Sequence, residues 1–180
     1  MAAGRGVNRK VNMNLKEQKS NVLKNLYLFF FHKLTAQAFE AWLQADSWAQ
    51  TFLGADAFLE FMRLDFERDA IQLRELARLT FTTLCQVDIR SVRALEICTL
   101  SLSGSVQLDV ACAELARLSL DGCSVVSPVF VGYHDELVRS KGEFLPFYRS
   151  RIEADMSRLQ VEIQKQLKCS LVSEDWFSLE

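Results

Sequence analysis

Apolar residues recur along most of the chain at the three- and four-residue spacing of amphipathic helices. Only seven glycines and two prolines interrupt this pattern, and residues 34–121 contain no proline. Long stretches without proline favour helices over short strands and turns. The pattern predicts helices in these segments: Leu15–Leu34, Thr35–Asp46, Ser47–Gly54, Ala57–Phe66, Glu67–Leu84, Asp88–Leu102, Val106–Leu120 and Phe144–Leu167.

The segment Cys123–Gly142 departs from this helical pattern. It contains Pro128, Gly132 and Gly142 among β-branched residues, which have low helix propensity. These residues predict a long ordered loop or a short pair of strands. The predicted fold is therefore a single all-α domain, a bundle of seven or eight helices with one irregular loop at about residues 123–142.

A near-repeat, LARLTF at Leu76–Phe81 and LARLSL at Leu115–Leu120, raises the alternative of a leucine-rich repeat. Such a repeat needs Asn or Cys at the ninth position of each copy. Cys123 satisfies this in the second copy, but Leu84 stands at that position in the first. The helical period explains both stretches better, and it predicts that four leucines face the core: Leu76, Leu79, Leu115 and Leu118.

Charge is distributed unevenly along a chain whose net charge is −2. The first 24 residues carry +5 and the remainder carries −7. We predict a basic, disordered leader over residues 1–13 and one helical domain over residues 14–180; a tether for nucleic acid or a membrane is the alternative for the leader. The negative net charge is atypical of proteins that coat nucleic acid, because these need a basic surface.

Two features of the sequence predict the cellular compartment: the cysteines and the apolar run NLYLFFF at Asn25–Phe31. The five cysteines form no C-x-x-C pair and most lie among aliphatic residues, which is typical of a reducing cytosol. The apolar run is far shorter than the roughly 20 residues of a membrane span, and the long charged segment before it is atypical of a secretory signal. We expect a cytoplasmic protein without a membrane partner.

The candidate partner-binding residues lie in two polar stretches. GYHDELVRSKGE, at Gly132–Glu143, carries aromatic and charged side chains of the kind that dominate protein interfaces. RLDFERDAIQLRE, which begins at Arg63, alternates charges and offers an acidic patch to a basic partner. A solvated surface is the alternative for both stretches. The candidate residues are Tyr133, His134, Asp135, Glu136, Arg139, Asp65, Glu67 and Asp69.

No motif for catalysis, a metal or a cofactor stands out in the sequence. His32 and His134 are about a hundred residues apart, so no zinc-binding spacing is present. A cysteine hydrolase would pair Cys123 with His134 and Asp135, but only the residue types favour it. We therefore expect neither an enzyme nor a metal or cofactor site, with a small hydrolase that uses His134 as an alternative.

Two apolar features near the C-terminus could pack either on the protein's own core or on a partner. SEDWFSLE, at Ser173–Glu180, carries Trp176 and Phe177, which either dock on a partner or, as we favour, pack on the protein's own core. In the last helix, an apolar stripe runs along Ile152–Leu167. An exposed stripe would favour a structural subunit of a larger assembly, whereas a buried one would count against it.

The segment that begins LTAQAFEAWLQADSWAQ at Leu34 combines a short capped helix with a Trp, a Leu-Gly turn and the apolar stretch FLEFMRLDF. A further helix pair and VFVGYHDEL follow, ending at Leu137. This layout resembles small bacterial cytosolic helical proteins, some of which are immunity proteins of polymorphic or contact-dependent toxin systems. The resemblance carries over no functional residue. It implies a non-enzymatic protein–protein interaction module, most concretely an immunity-type inhibitor of a basic toxin domain.

Overall fold

A computed structural model describes residues 5–167 and Trp176, with side chains from Leu15 onward. The residues so described form nine α-helices and no strand, which confirms the predicted all-α fold. The helices are α1 (Arg5–Phe30), α2 (Ala36–Ala45), α3 (Ser47–Leu53), α4 (Ala55–Arg63), α5 (Ala70–Cys85), α6 (Ile89–Leu102), α7 (Leu108–Leu120), α8 (Val129–Arg139) and α9 (Leu145–Gln166). None of these described helices has the length and apolar character needed to span a membrane.

The described helices fall into two compact units, one containing α1–α5 with Trp176 and the other containing α6–α9. α1 begins at Arg5, so it includes residues 5–13 of the segment predicted to be a disordered leader. The assignment of residues 1–13 to a leader and of residues 14–180 to one domain stays a prediction.

An aromatic cluster centred on Phe39 forms the core of the first unit. The Phe39 ring stacks on Phe29 with 4.1 Å between ring centroids and meets Phe61 edge-on at 5.5 Å. All three side chains are buried, and Phe66 adds a tilted ring at 6.4 Å from Phe39. The Phe39 side chain therefore joins α1, α2 and α4.

Side-chain caps set the boundaries of the short helices. Asp46 accepts the backbone N–H of Trp48 at 2.9 Å, which caps α3, and its second carboxylate oxygen accepts the indole N–H of Trp42 at 3.1 Å. Thr35 caps α2 by accepting the N–H of Ala38 at 3.2 Å. These oxygens satisfy backbone donors that have no partner within a helix.

α6 is the most buried helix of the second unit, with nine of its 14 residues buried. It packs against α7 and α9, and α7 packs extensively against α8. Its N-terminus is capped by Asp88, which accepts the N–H of Arg90 at 2.9 Å. The buried residues of α6 are Ile89, Ser91, Val92, Ala94, Leu95, Glu96, Ile97, Cys98 and Ser101. An apolar core shared by the four helices follows from this burial.

One charged side chain lies inside the second unit. Glu96 is 1% exposed and is paired with Arg93, one turn earlier on α6. Arg93 Nη2 also lies 3.6 Å from Oε2 of Glu114 on α7, and Glu114 pairs with Arg117 at 3.1 Å. A buried carboxylate is stable only when it is paired, so this ion-pair network links α6 to α7.

The prediction of an irregular loop over Cys123–Gly142 is wrong for its central part, which forms α8. The buried residues of α8 are Phe130, Tyr133 and Leu137, at the three- and four-residue steps of a helix face. Burial of this face outweighs the low helix propensity of the glycine and β-branched residues around it. Irregular connections remain on either side, at residues 123–128 and 140–144.

The two near-identical hexapeptides lie in α5 and α7, as the helical interpretation predicted, but they bury different positions. Leu115 and Leu118 are buried in α7. In α5, Leu79 is 49% exposed and Leu76 is half-buried, so the core position predicted for Leu79 is wrong. Residues outside the hexapeptide set the inward face of α5, whose buried residues are Leu73, Ala77, Thr80, Phe81 and Cys85.

The helical conformation of α8 makes a prediction about Gly132, which is exposed in the middle of this helix. A Cβ added at Gly132 meets nothing within 4 Å. The Gly132→Ala substitution should therefore raise the free energy of unfolding by about 1 kcal/mol, as alanine is the better helix former. Urea denaturation followed by circular dichroism measures this change.

Gly142 provides the matched control, because its φ of +82° is a conformation that favours glycine. Gly142→Ala should lower the free energy of unfolding by about 1 kcal/mol. Destabilisation by both substitutions would contradict a helix at Gly132.

Candidate functional site

A groove of about 340 Å³ runs between α7 and α8 in the second unit. Its lining residues are Asp109, Val110 and Ala113 from α7, and His134, Leu137, Val138, Lys141 and Gly142 from α8 and the turn after it. His134, Leu137 and Val138 follow three- and four-residue steps, which place them on one face of α8, and Lys141 and Gly142 extend the lining in the turn after it. The groove is therefore shaped by two regular helices in extensive contact, so its geometry is largely pre-formed.

Two valines of the groove are left exposed. Val110 on α7 is 49% exposed and Val138 on α8 is 64% exposed, whereas Leu137 is buried. Exposed apolar side chains occur elsewhere on the chain as well, and these two differ in lying together along a concave surface, where a bound segment could bury both. Asp109 and Lys141 add one negative and one positive charge to the lining. The groove thus combines apolar contact area with polar groups that can fix the orientation of a bound segment.

Tyr133, a predicted partner-binding residue, belongs to the core instead. It is buried, and its hydroxyl donates a hydrogen bond to Oδ2 of Asp155 on α9 at 2.7 Å. Burial raises the pKa of Tyr133 to about 12, and the hydrogen bond to Asp155 acts in the same direction. Tyr133 therefore ties α8 to α9.

The other predicted residues of this stretch are spread around α8. His134 is half-buried and lines the groove, whereas Asp135 is exposed. Glu136 and Arg139 form a surface ion pair with 3.6 Å between Arg139 Nη1 and Glu136 Oε2. Such exposed pairs contribute little to stability. Of the five residues predicted in this stretch, His134 is the one that the groove brings together with α7.

The predicted acidic residues Asp65, Glu67 and Asp69 lie in the turn between α4 and α5 of the first unit. Asp65 accepts the backbone N–H groups of Glu67 and Arg68 at 2.9 and 3.1 Å. These hydrogen bonds hold the pKa of Asp65 below its usual value. Asp69 in turn accepts the N–H of Asp65 at 2.9 Å. Two of the three carboxylates are therefore engaged in shaping the turn, and Glu67 is exposed.

The cysteines of the described helices and loops do not offer a reactive thiolate. Cys123 is 2% exposed, its Sγ lies 3.8 Å from the hydroxyl of Ser91, and burial raises its pKa. Burial also raises the pKa of Cys98 and of Cys112 to about 12. A nucleophilic cysteine needs the opposite shift. Among the described residues, no group of three or more His, Cys, Asp or Glu side chains could hold a metal ion.

Sequence reasoning missed the α7 side of the groove. Its signal was an apolar residue outside the core stripe of its helix: Val110 falls between the buried Leu108 and Ala111. Val138 is likewise an exposed apolar residue directly beside a buried one, Leu137. An apolar residue displaced from the stripe is weak evidence in one helix, and only the pairing of α7 with α8 turns two such residues into a surface.

Comparison of the chain with models of protein families, with curated proteins and with solved structures found no match.

The hydrogen bond between Tyr133 and Asp155 should contribute to stability in a pH-dependent way. Tyr133→Phe should lower the free energy of unfolding by about 1 kcal/mol at neutral pH. The unfolded tyrosine has a pKa of about 10 and the folded one a pKa of about 12, so this contribution is present below pH 10 and is lost as the pH rises toward 12. Urea denaturation at several alkaline pH values measures the difference.

The Tyr148→Phe variant is the control for this titration, because it removes the hydroxyl of a half-buried tyrosine on α9 and leaves the hydrogen bond between Tyr133 and Asp155 in place. A stability advantage of wild type over Tyr133→Phe that grows between pH 10 and pH 12 would contradict the buried position of the hydroxyl.

The four buried cysteines, Cys85, Cys98, Cys112 and Cys123, should resist modification in the folded protein. In a Cys169→Ser variant these are the thiols that remain. Their reaction with Ellman's reagent should be slow, limited by opening of the fold, and should become fast in denaturing urea. Rapid modification of Cys123 in the native variant, located by mass spectrometry, would revive the hydrolase hypothesis.

Proposed function

We propose that this protein is a non-enzymatic protein-binding module that uses the α7–α8 groove, and that it acts as a bacterial toxin-neutralising, immunity-type protein. The observation that carries the proposal is the exposure of Val110 and Val138 on the two helices that form the groove. Apolar side chains on a rigid, concave helix pair bury well against a partner's protruding side chains, because little conformational entropy is lost when they do.

Charge gives the proposed partner its chemistry. The chain beyond its first 24 residues carries −7, which favours capture of a basic toxin domain by long-range attraction. The proposal places the protein in the cytoplasm, where its thiols stay reduced and where a toxin would be neutralised. The acidic turn at Asp65, Glu67 and Asp69 adds its charge to this attraction but is less available for direct contact, because two of those carboxylates accept backbone N–H groups.

Burial of the side chains that they would use disfavours the two alternative functions. The α9 stripe that a structural subunit would expose is buried: Ile152, Met156 and Ile163 are 0% exposed. For a hydrolase, the sulfur of Cys123 is next to Ser91 in the core, while His134 lines the groove. A nucleophile and its base need to be within hydrogen-bonding reach of each other, and the contact of Cys123 with Ser91 gives no support to that arrangement.

Substitutions in the groove test the proposal in cells. The chain is co-expressed with the toxin-like product of a neighbouring gene, and growth is compared for wild type, Val110→Asp and Val138→Asp. Each aspartate places an unpaired charge in the apolar contact, so we expect loss of protection and a rise in Kd of about tenfold or more, measured by calorimetry.

Val161→Asp is the matched control, because Val161 on α9 has the same 49% exposure as Val110 and is not part of the groove lining. It should protect as wild type does. A wild-type chain that protects against no neighbouring toxin would overturn the immunity-type function, and protection that survives Val110→Asp and Val138→Asp would overturn the role of the groove.

A further inference from the structure

Trp176 lies against α1 in the first unit. Its side chain is 6% exposed, and its ring centroid is 6.1 Å from that of Tyr27. The indole N–H donates a hydrogen bond to the hydroxyl of Ser20 at 3.3 Å. The prediction that this aromatic residue packs on the protein's own core is confirmed for Trp176, while Phe177 lies outside the described residues.

The α1 surface beneath Trp176 supplies both groups that an indole needs. Ser20 and Tyr27 are seven residues apart, which is about two helical turns, so they share one face of α1. Phe31 extends the aromatic surface, with its ring 5.0 Å from that of Tyr27. A hydroxyl acceptor beside aromatic carbon satisfies the polar edge of a tryptophan while its rings are buried.

Three lysines and one acidic residue, Glu17, lie around this surface, so its net charge is positive. Lys16 and Lys24 precede and follow Ser20 by four residues, which places them on the same face of α1. Lys33 Nζ lies 5.6 Å from the ring centroid of Tyr27. In the sequence, two acidic residues immediately precede the tryptophan, Glu174 and Asp175. The α1 surface and the segment that carries Trp176 are thus complementary in charge.

We propose that the surface formed by Ser20 and Tyr27 of α1, together with Phe31 directly after this helix, is a recognition site for an acidic, tryptophan-bearing linear segment of a partner protein. Trp176 occupies this site within the chain and acts as an internal competitor. A tethered competitor works at an effective concentration in the millimolar range, so only partner segments that bind tightly or are abundant can displace it. The site belongs to the first unit and is independent of the α7–α8 groove.

A synthetic peptide of the tail sequence, SEDWFSLE labelled with fluorescein, is the probe for this site. Its binding is measured by fluorescence anisotropy to the full-length wild-type chain and to full-length Trp176→Ala. Removal of the internal competitor should lower the Kd of the peptide by about tenfold or more. Lys24→Glu in the Trp176→Ala background should weaken the binding, because it reverses one charge of the site.

Two controls isolate the tryptophan. The peptide SEDAFSLE should bind neither chain, and Phe147→Ala, which removes an aromatic side chain that is 81% exposed in the second unit, should bind the probe as wild type does. Equal affinity of the probe for wild type and for folded Trp176→Ala would overturn the proposal, as would equal binding of the two peptides.

A second measurement uses the wild-type chain and does not depend on folding of the variant. The chain is labelled with 5-fluorotryptophan, which gives fluorine signals from Trp42, Trp48 and Trp176. Excess unlabelled SEDWFSLE should move the Trp176 signal toward its solvent-exposed position and leave the other two signals unchanged. An unmoved Trp176 signal at saturating peptide would overturn the proposal. A wild-type dimer that the peptide dissociates, detected by light scattering, would overturn it in favour of a second copy of this chain as the occupant.

Discussion

The buried carboxylate of Glu96 is the constraint on which the second unit depends. A charge that is 1% exposed has to be compensated where it stands, and Arg93 provides the compensation from the same helix. Removal of one partner from such a pair typically costs 3–5 kcal/mol, because the other charge is left buried and unpaired. Arg93 also reaches Glu114, so α7 cannot slide along α6 without losing an ion pair. Since α7 carries Val110, the position of one groove wall is linked through the partly exposed Arg93–Glu114 pair to the buried Glu96.

The two surfaces described here use different physical chemistry. The α7–α8 groove offers aliphatic side chains and two opposite charges in its lining, and a partner bound there would gain mainly by removing Val110 and Val138 from water. The α1 surface offers aromatic rings, one hydroxyl acceptor and lysines, which favour a single amphipathic anchor in an acidic context. Each surface lies within one compact unit, so each can be altered without substitutions in the other.

Much of the fold could be predicted from apolar spacing, since burial of one face is what stabilises most helices in proteins. The prediction was wrong where the helix propensity of a segment and its packing in the fold disagree. Gly132 and its β-branched neighbours indicated a loop, yet the burial of Phe130, Tyr133 and Leu137 makes this segment a helix. The exposed leucine of α5, Leu79, shows a second limit, because identical letters do not fix which face turns inward. The candidate site was harder still: a groove depends on which two helices pack together, and spacing within one helix carries no such information.

Lys141 gives the mouth of the groove an energetic character of its own. Its backbone φ is 52°, in the left-handed region, where a residue with a side chain is less stable than glycine by about 1 kcal/mol. The next residue, Gly142, adopts a similar φ of 82° without that penalty. The chain therefore keeps a strained lysine, rather than a relaxed glycine, at a position that lines the groove. His32 and Gln86, which follow α1 and α5, have the same left-handed φ of 58°, so this conformation is the way several helices of the chain end. At the end of α8 its consequence is a cation at the edge of an apolar surface, placed there by the termination of a helix.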